Sequence, residues 1–277
     1  GEYNRQAKVH YTLFTKEGVV IAKGITTADF PSRENKIDEI TTNYFPILAE
    51  GIYEQNLFFK ANSTPKGSAP TMLMMKMWPF DRYVHQHGSQ YISSANIEAG
   101  MKPLREIRDR VGDKIEIMIE GHAFFRLPTA LQIASALKEI SPFWLEDFLP
   151  VDNIETLANF REHAGLPIAA SEMLLGRPAY RALLEARAVD YVMVDPTWAG
   201  GISETRRIID LAQTYNLPAT MHDCTGPLTL LAGLHCAAAS ANVVLQETVR
   251  AHIRTFYERL VDRQPVVEDG FLALPTD

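Results

Sequence analysis

The chain has 277 residues, 46% of them hydrophobic, and carries 27 Lys and Arg against 34 Asp and Glu, a formal net charge of −7. That is enough apolar material for one large domain, since a single (β/α)₈ barrel takes ~250 residues. An acidic chain without a basic cluster argues against nucleic acid, whose phosphates demand concentrated Lys and Arg, and no apolar run approaches the ~20 residues of a membrane span.

Short β-branched or apolar runs recur along the chain, most of them closed by a polar residue. They are KVHYTLF (8–14), TMLMMK (71–76), IEIMIE (115–120), FWLED (143–147), PIAASE (167–172), YVMVD (191–195), PATMHD (218–223) and NVVLQE (242–247). Near-continuous runs of this length suit strands buried on both faces, as in a parallel sheet. Helical spacing fills gaps at 128–140, 152–164, 203–215 and 225–240; the second is expected to open on Asp152 as N-cap, with Glu155 completing a capping box. Eight alternations predict an all-parallel α/β fold closed into a barrel. The barrel is expected over 1–252, with 253–277 as a C-terminal extension. Between the second strand and the next helix, residues 77–92 (MWPFDRYVHQHGSQYI) form an aromatic loop that would overhang the barrel mouth. Cys224 and Cys236 form no CxxC pair and read as two buried thiols in a reducing compartment, hence a cytoplasmic chain. The polar opening Gly1–Glu2–Tyr3–Asn4–Arg5 is not that of a signal peptide.

The strongest signal is spacing. Glu120 and Glu146 are 26 residues apart, and so are Glu146 and Glu172; Asp195, His222 and Glu247 follow at 23, 27 and 25. One strand–helix unit of a barrel takes about this length, roughly an eighth of ~250 residues. Each polar residue therefore falls at the C-terminal end of its strand, and in a barrel those ends converge on the face that carries the active site. One acidic residue after a buried strand is commonplace, but helix capping is a poor account of six in succession, since Glu caps less well than Asp or Ser. Three converging carboxylates repel one another, and a bound cation removes that cost. All-oxygen ligation by Glu120, Glu146 and Glu172 suits Mg²⁺, Mn²⁺ or Ca²⁺, and Mg²⁺ leaves positions open for water and substrate.

Asp195 beside His222 would fix its tautomer and make it a general base. His122, two residues past Glu120, is a candidate general acid. Lys76 closes the second strand, where it can neutralise a substrate oxygen or act as a second base. His85 and His87 sit on the long loop and read as solvated; His10, His163, His235 and His252 read as structural.

WLEDF (144–148), AASE (169–172), VDPTWAGGISE (194–204), MHDCTGP (221–227) and LQE (245–247) together resemble the enolase superfamily, in its mandelate racemase and muconate-lactonizing subgroup. The resemblance covers roughly 70–274. It implies a (β/α)₇β barrel, one Mg²⁺ per chain (Mn²⁺ as substitute) on Glu120, Glu146 and Glu172, an Asp195–His222 dyad, and Glu247 at the substrate carboxylate. Enolase-superfamily sites are a standard illustration of a Lys or His base working with Mg²⁺, so that chemistry comes with the resemblance. It further implies an acid-sugar dehydratase that removes an α-proton through an enolate, with His122 protonating the departing hydroxyl. The alternatives are a racemase or epimerase using Lys76 and His222, and a silent metal-binding barrel.

The chain departs from the family pattern in four places. Glu120 replaces the usual Asp, Trp78 stands where a second lysine is frequent, Ser171 stands where Gly is frequent, and an N-terminal capping domain is expected to be missing. The expected partners are a small carboxylate substrate and further copies of the chain as a homo-oligomer, with neither nucleic acid nor membrane.

Overall fold

The computed structural model describes residues 5–14, 20–30, 56–59, 73–84, 89–249, 252–253, 256–263, 267–268 and 271–272. Strands β1 (Arg5–Phe14) and β2 (Val20–Phe30) pair antiparallel in a two-stranded sheet of their own. The run 8–14, expected as the first barrel strand, is therefore not in the barrel. Its place is taken by β3 (Asn56–Phe59), which pairs antiparallel with both of its neighbours and closes the barrel.

The other seven barrel strands are parallel: β4 (Leu73–Met77), β5 (Ile115–Glu120), β6 (Trp144–Glu146), β7 (Ile168–Ala170), β8 (Tyr191–Val194), β9 (Ala219–Met221) and β10 (Val243–Val249). The seven runs read from the sequence after 70 each overlap one of these strands, five containing it whole, while β4 and β10 extend past the ends of theirs. Beyond the barrel, β11 (Val267–Glu268) and β12 (Phe271–Leu272) form a small hairpin in the tail.

Strand alternation sorts the core into two layers. Met75, Ile117, Ile119, Leu145, Ile168, Val192 and Val194 face outward and pack with Leu104, Ile133, Leu157 and Ile208 of the surrounding helices. Met74, Met118, Trp144, Ala169, Met193 and Leu245 form a separate inner cluster. They fill the barrel interior, as the side-chain layers of such barrels do. Because successive side chains alternate faces, the next inward position lies two residues on. Those positions are Lys76, Glu120, Glu146, Ser171, Asp195 and Glu247, so the polar ladder is the layer directly above a closed apolar floor.

The helices are α1 (Ser94–Val111), α2 (Leu127–Leu137), α3 (Ile154–Ala164), α4 (Gly176–Glu185), the short α5 (Pro196–Ala199), α6 (Ile202–Thr214) and α7 (Pro227–Ala238). Helix α3 starts one residue later than expected: Asn153, not Asp152, caps it by accepting from the Thr156 N–H at 2.8 Å. Its other end stops at Gly165, whose φ of +66° suits a residue without a side chain. Among the described residues no helix is long and apolar enough to cross a membrane.

A candidate active site at the barrel mouth

Glu120 and Glu146 end adjacent strands in direct register. Lys76, at the end of β4, reaches both. Its ammonium lies 2.9 Å from Glu120 Oε2 and 2.9 Å from Glu247 Oε1, and it is hydrogen-bonded to Glu146 Oε1. All four side chains are buried. The remaining oxygens also have partners. Glu120 Oε1 accepts the backbone N–H of Gly121 (3.0 Å) and of His122 (2.8 Å), and Glu146 Oε2 accepts the Trp144 indole N–H at 2.8 Å.

Burial opposes a charged lysine, but Glu120, Glu146 and Glu247 outweigh it and hold Lys76 well above its ordinary range. Burial likewise opposes ionised Glu120, yet Lys76 and His122 beside it bring its pKa down to about 2. Glu146 goes the other way, pushed up by burial and by the charge of Glu120. The pair thus divides its charge unevenly, and the carboxylate that accepts two backbone N–H groups keeps it.

His222 follows β9 and is buried. Its Nδ1 lies 2.7 Å from Asp195 Oδ2, and its ring stacks on Trp198 at 5.7 Å between centroids. Asp195 also accepts the Thr225 hydroxyl at 2.6 Å and the Thr197 N–H at 2.7 Å. One carboxylate therefore caps α5 and fixes the imidazole. Burial works to raise Asp195, but His222 and Thr225 prevail and lower it. Burial works to lower His222, but Glu172, Glu247 and Asp195 raise it well above its usual range. The other ring nitrogen, Nε2, lies 3.1 Å from Glu172 Oε2, 3.4 Å from Cys224 Sγ and 3.8 Å from Glu247 Oε2. Cys224 is exposed, contrary to the expectation of two buried thiols; only Cys236 is buried. Cys224 falls in the loop 222–226 between β9 and α7.

Backbone strain gathers at the same strand ends. His122, Ala123, Asp147 and Ser171 all have positive φ, at +46°, +57°, +40° and +101°. Such conformations are uncommon for residues with a side chain and concentrate at functional sites. At Gly121 an added Cβ would lie 2.8 Å from the Phe148 Cα, so only glycine lets the turn carrying His122 close against the segment just past β6. Ser171 is the departure from glycine noted in the sequence. Its geometry is held by three bonds: its hydroxyl donates to the Met193 carbonyl (2.9 Å), its N–H to Asp147 Oδ1 (3.2 Å), and its carbonyl accepts the Tyr180 hydroxyl (2.8 Å).

A family model described as "Enolase C-terminal domain-like" matches residues 71–277. The chain belongs to that family. An enolase of the mandelate racemase subgroup from Agrobacterium tumefaciens superposes with a TM-score of 0.69 at 41% identity, covering 73% of this chain and 55% of that one. The curated relatives include D-xylonate dehydratase of Haloferax volcanii, 28% identical over 68% of this chain and 45% of its own length. D-galactonate dehydratase of Ralstonia pickettii is 32% identical over 56% of this chain and 41% of its own length. The chain thus spans less than half the length of these two curated relatives.

Seen as a family member, the chain brings its expected site residues together unequally. Lys76, Glu120, Glu146 and Glu247 form one cluster, and Asp195, His222 and Glu172 a second that touches it through Glu247. Among the described residues no three His, Cys, Asp or Glu side chains are set as a ready-made metal cage. The donor set nevertheless fits a divalent ion. A cation already sits between Glu120 and Glu146, and carboxylates outnumber cations. Asp147 is pushed up by burial and by Glu172 and Glu120, and Glu172 by burial against His222. An ion held by Glu120, Glu146 and Glu172 would compete with Lys76 for oxygens of Glu120 and Glu146, and with His222 for Glu172 Oε2.

Asp147, Thr225, Trp144 and Asp81 escaped the sequence reading of the site. Asp147 and Thr225 stand inside motifs quoted for other residues; Trp144 reads as core, and Asp81 lies on the long loop. His85 and His87 lie outside the described residues. The extension also reaches the mouth: buried Tyr257 donates its hydroxyl to Asp223 Oδ1 at 2.9 Å.

Proposed function

We propose that the chain is the barrel of an acid-sugar dehydratase, acting on a sugar acid or related 2-hydroxy carboxylate with one Mg²⁺, or Mn²⁺ in its place. The observation that carries this reading is the buried Asp195–His222 pair, 2.7 Å apart, at the mouth that also holds Glu120, Glu146 and Glu172. His222, its Nδ1 held by Asp195, presents Nε2 as the base that takes the α-proton. When bound on Glu120, Glu146 and Glu172, the divalent ion supplies Lewis-acid stabilisation of charge on the substrate carboxylate. Glu247 and Lys76 set the charge around that end of the substrate. His122 gives its proton to the departing β-hydroxyl. The relatives named as D-xylonate and D-galactonate dehydratases support the substrate class.

Racemisation by two opposed bases is weakened by Trp78, which stands where a second lysine is frequent in the family. The test is a panel of acid sugars with Mg²⁺, analysed by mass and by carbonyl formation. Loss of water with formation of a 2-keto-3-deoxy acid is expected. An epimer of unchanged mass, or no turnover of any acid sugar, would contradict the proposal.

A further inference from the structure

The aromatic loop after β4 contributes one carboxylate to the mouth. Asp81 opens a short 3₁₀ turn, Asp81–Tyr83, directly after Trp78-Pro79-Phe80. Its Oδ2 lies 2.5 Å from His122 Nδ1. The side chain of Asp81 is 16% exposed, against 43% for His122, so the carboxylate backs the ring and leaves it open to the mouth. The ring has two aromatic neighbours, Trp78 edge-on at 5.4 Å between centroids and Phe124 tilted at 5.8 Å. Its backbone is pinned by the His122 N–H to Glu120 bond and by the Ala123 N–H to the Asp147 carbonyl at 2.5 Å.

The start of that loop is anchored at Phe80. Phe80 is fully buried and seated on α1 over Gly100, where an added Cβ would come within 2.4 Å of its ring. Only a glycine leaves that socket, so the position of Asp81 is set by packing rather than by solvent.

We infer that Asp81 is a positioning residue for His122. It holds Nδ1 and thereby turns Nε2 toward the substrate's β-hydroxyl, making a second carboxylate–imidazole pair opposite in role to Asp195–His222. The inference deepens the dehydratase reading and rests on it. The α-proton goes to His222 Nε2, and the electron pair of that C–H bond becomes the new C=C bond. The β C–O bond breaks with its electrons on oxygen, and the proton from His122 Nε2 completes a water molecule. The resulting enol tautomerises to the 2-keto acid. Asp81 acts only on the second proton transfer. An orienting partner of this kind is worth on the order of 10–100-fold in rate.

Two readouts of Asp81→Ala test this. In D₂O with Mg²⁺ and a turned-over acid sugar, deuterium entry at the α-carbon of recovered substrate reports the base step, and keto-acid formation reports the whole reaction. Asp81→Ala is expected to lower keto-acid formation by ~10–100-fold while exchange persists, so the exchange-to-elimination ratio rises. Equal falls in both rates, or no fall in either, would overturn the role. The second readout needs no activity. In protein labelled with ¹⁵N-histidine, correlations from the ring carbon-bound protons report which nitrogen carries the proton, and His122→Gln assigns the signals. Wild type is expected to carry a proton on His122 Nδ1, and Asp81→Ala to lose that preference. An unchanged pattern would overturn the pairing. If wild type turns over no acid sugar, the dehydratase reading fails, and the nitrogen pattern alone then upholds or overturns the Asp81–His122 pair.

Discussion

Replacing Lys76 with Met tests whether that ammonium is the resident counter-charge of the cluster. Lys76 lies 2.9 Å from both Glu120 and Glu247 and is bonded to Glu146, all buried. At an effective dielectric constant of about 20, one such contact is worth ~6 kcal/mol before desolvation. Burying the ammonium offsets much of that sum, so the net effect is better taken from buried pairs that lose one partner, about 3–5 kcal/mol. For a barrel of this size each kcal/mol moves Tm by ~2–4 °C, giving a fall of ~6–20 °C for Lys76→Met in EDTA.

The deficit should depend on pH. Left without Lys76, the carboxylates would be raised in the folded state above their unfolded values, so the folded variant binds extra protons at acid pH. Stability of the variant is therefore retained at low pH and lost as pH rises through those raised values. An ion held on Glu120 and Glu146 would compete with Lys76 for their oxygens, so Mg²⁺ should raise the Tm of Lys76→Met more than that of wild type, by mass action on the folded state. Differential scanning calorimetry at two pH values, with EDTA and with Mg²⁺, reads all three effects. A variant within 1–2 °C of wild type in EDTA, equivalent to under ~1 kcal/mol, would refute the reasoning.

Ser171→Ala should lose ~1 kcal/mol of stability with the bond to the Met193 carbonyl, while Ser171→Gly should be more stable than Ser171→Ala because it relieves the φ of +101°; urea melts decide, and a less stable glycine variant would contradict the strain argument. Asp223 is pushed up to about 8, by burial first and by Glu247, against the Tyr257 bond that lowers it. Its folded value lies above its unfolded one, so it contributes a loss of stability as pH rises from about 4 to 8. Asp223→Asn should remove that part of the slope, so that its Tm relative to wild type is higher at pH 8.5 than at pH 5.5; an identical pH profile would count against it.

Much of the mouth was legible because it repeats. A strand that must alternate faces places an inward residue above each floor residue, and equal spacing repeats that event strand after strand. Glu120, Glu146, Asp195 and Glu247 lie where that logic puts them. Glu172 is two residues past its strand and beyond the bend at Ser171, and it turns to His222 rather than to Lys76. The first barrel strand was misread because Asn56–Phe59 is short and antiparallel, while 8–14 alternates well enough to pair in its own hairpin. Asp81 could not be found by periodicity, since loop contacts have none; its partner is 41 residues away. The aromatic run that precedes it was the usable signal, because a buried anchor such as Phe80 packs the neighbouring backbone into place.

The central claim is that His222, fixed by Asp195, removes an α-proton at a site needing a divalent ion. The most direct measurement is α-deuterium incorporation into an acid sugar in D₂O, followed by NMR for wild type with Mg²⁺, wild type in EDTA, and His222→Asn with Mg²⁺. The account predicts exchange in the first sample alone. Exchange that survives in folded His222→Asn, or that proceeds unchanged in EDTA, would contradict it.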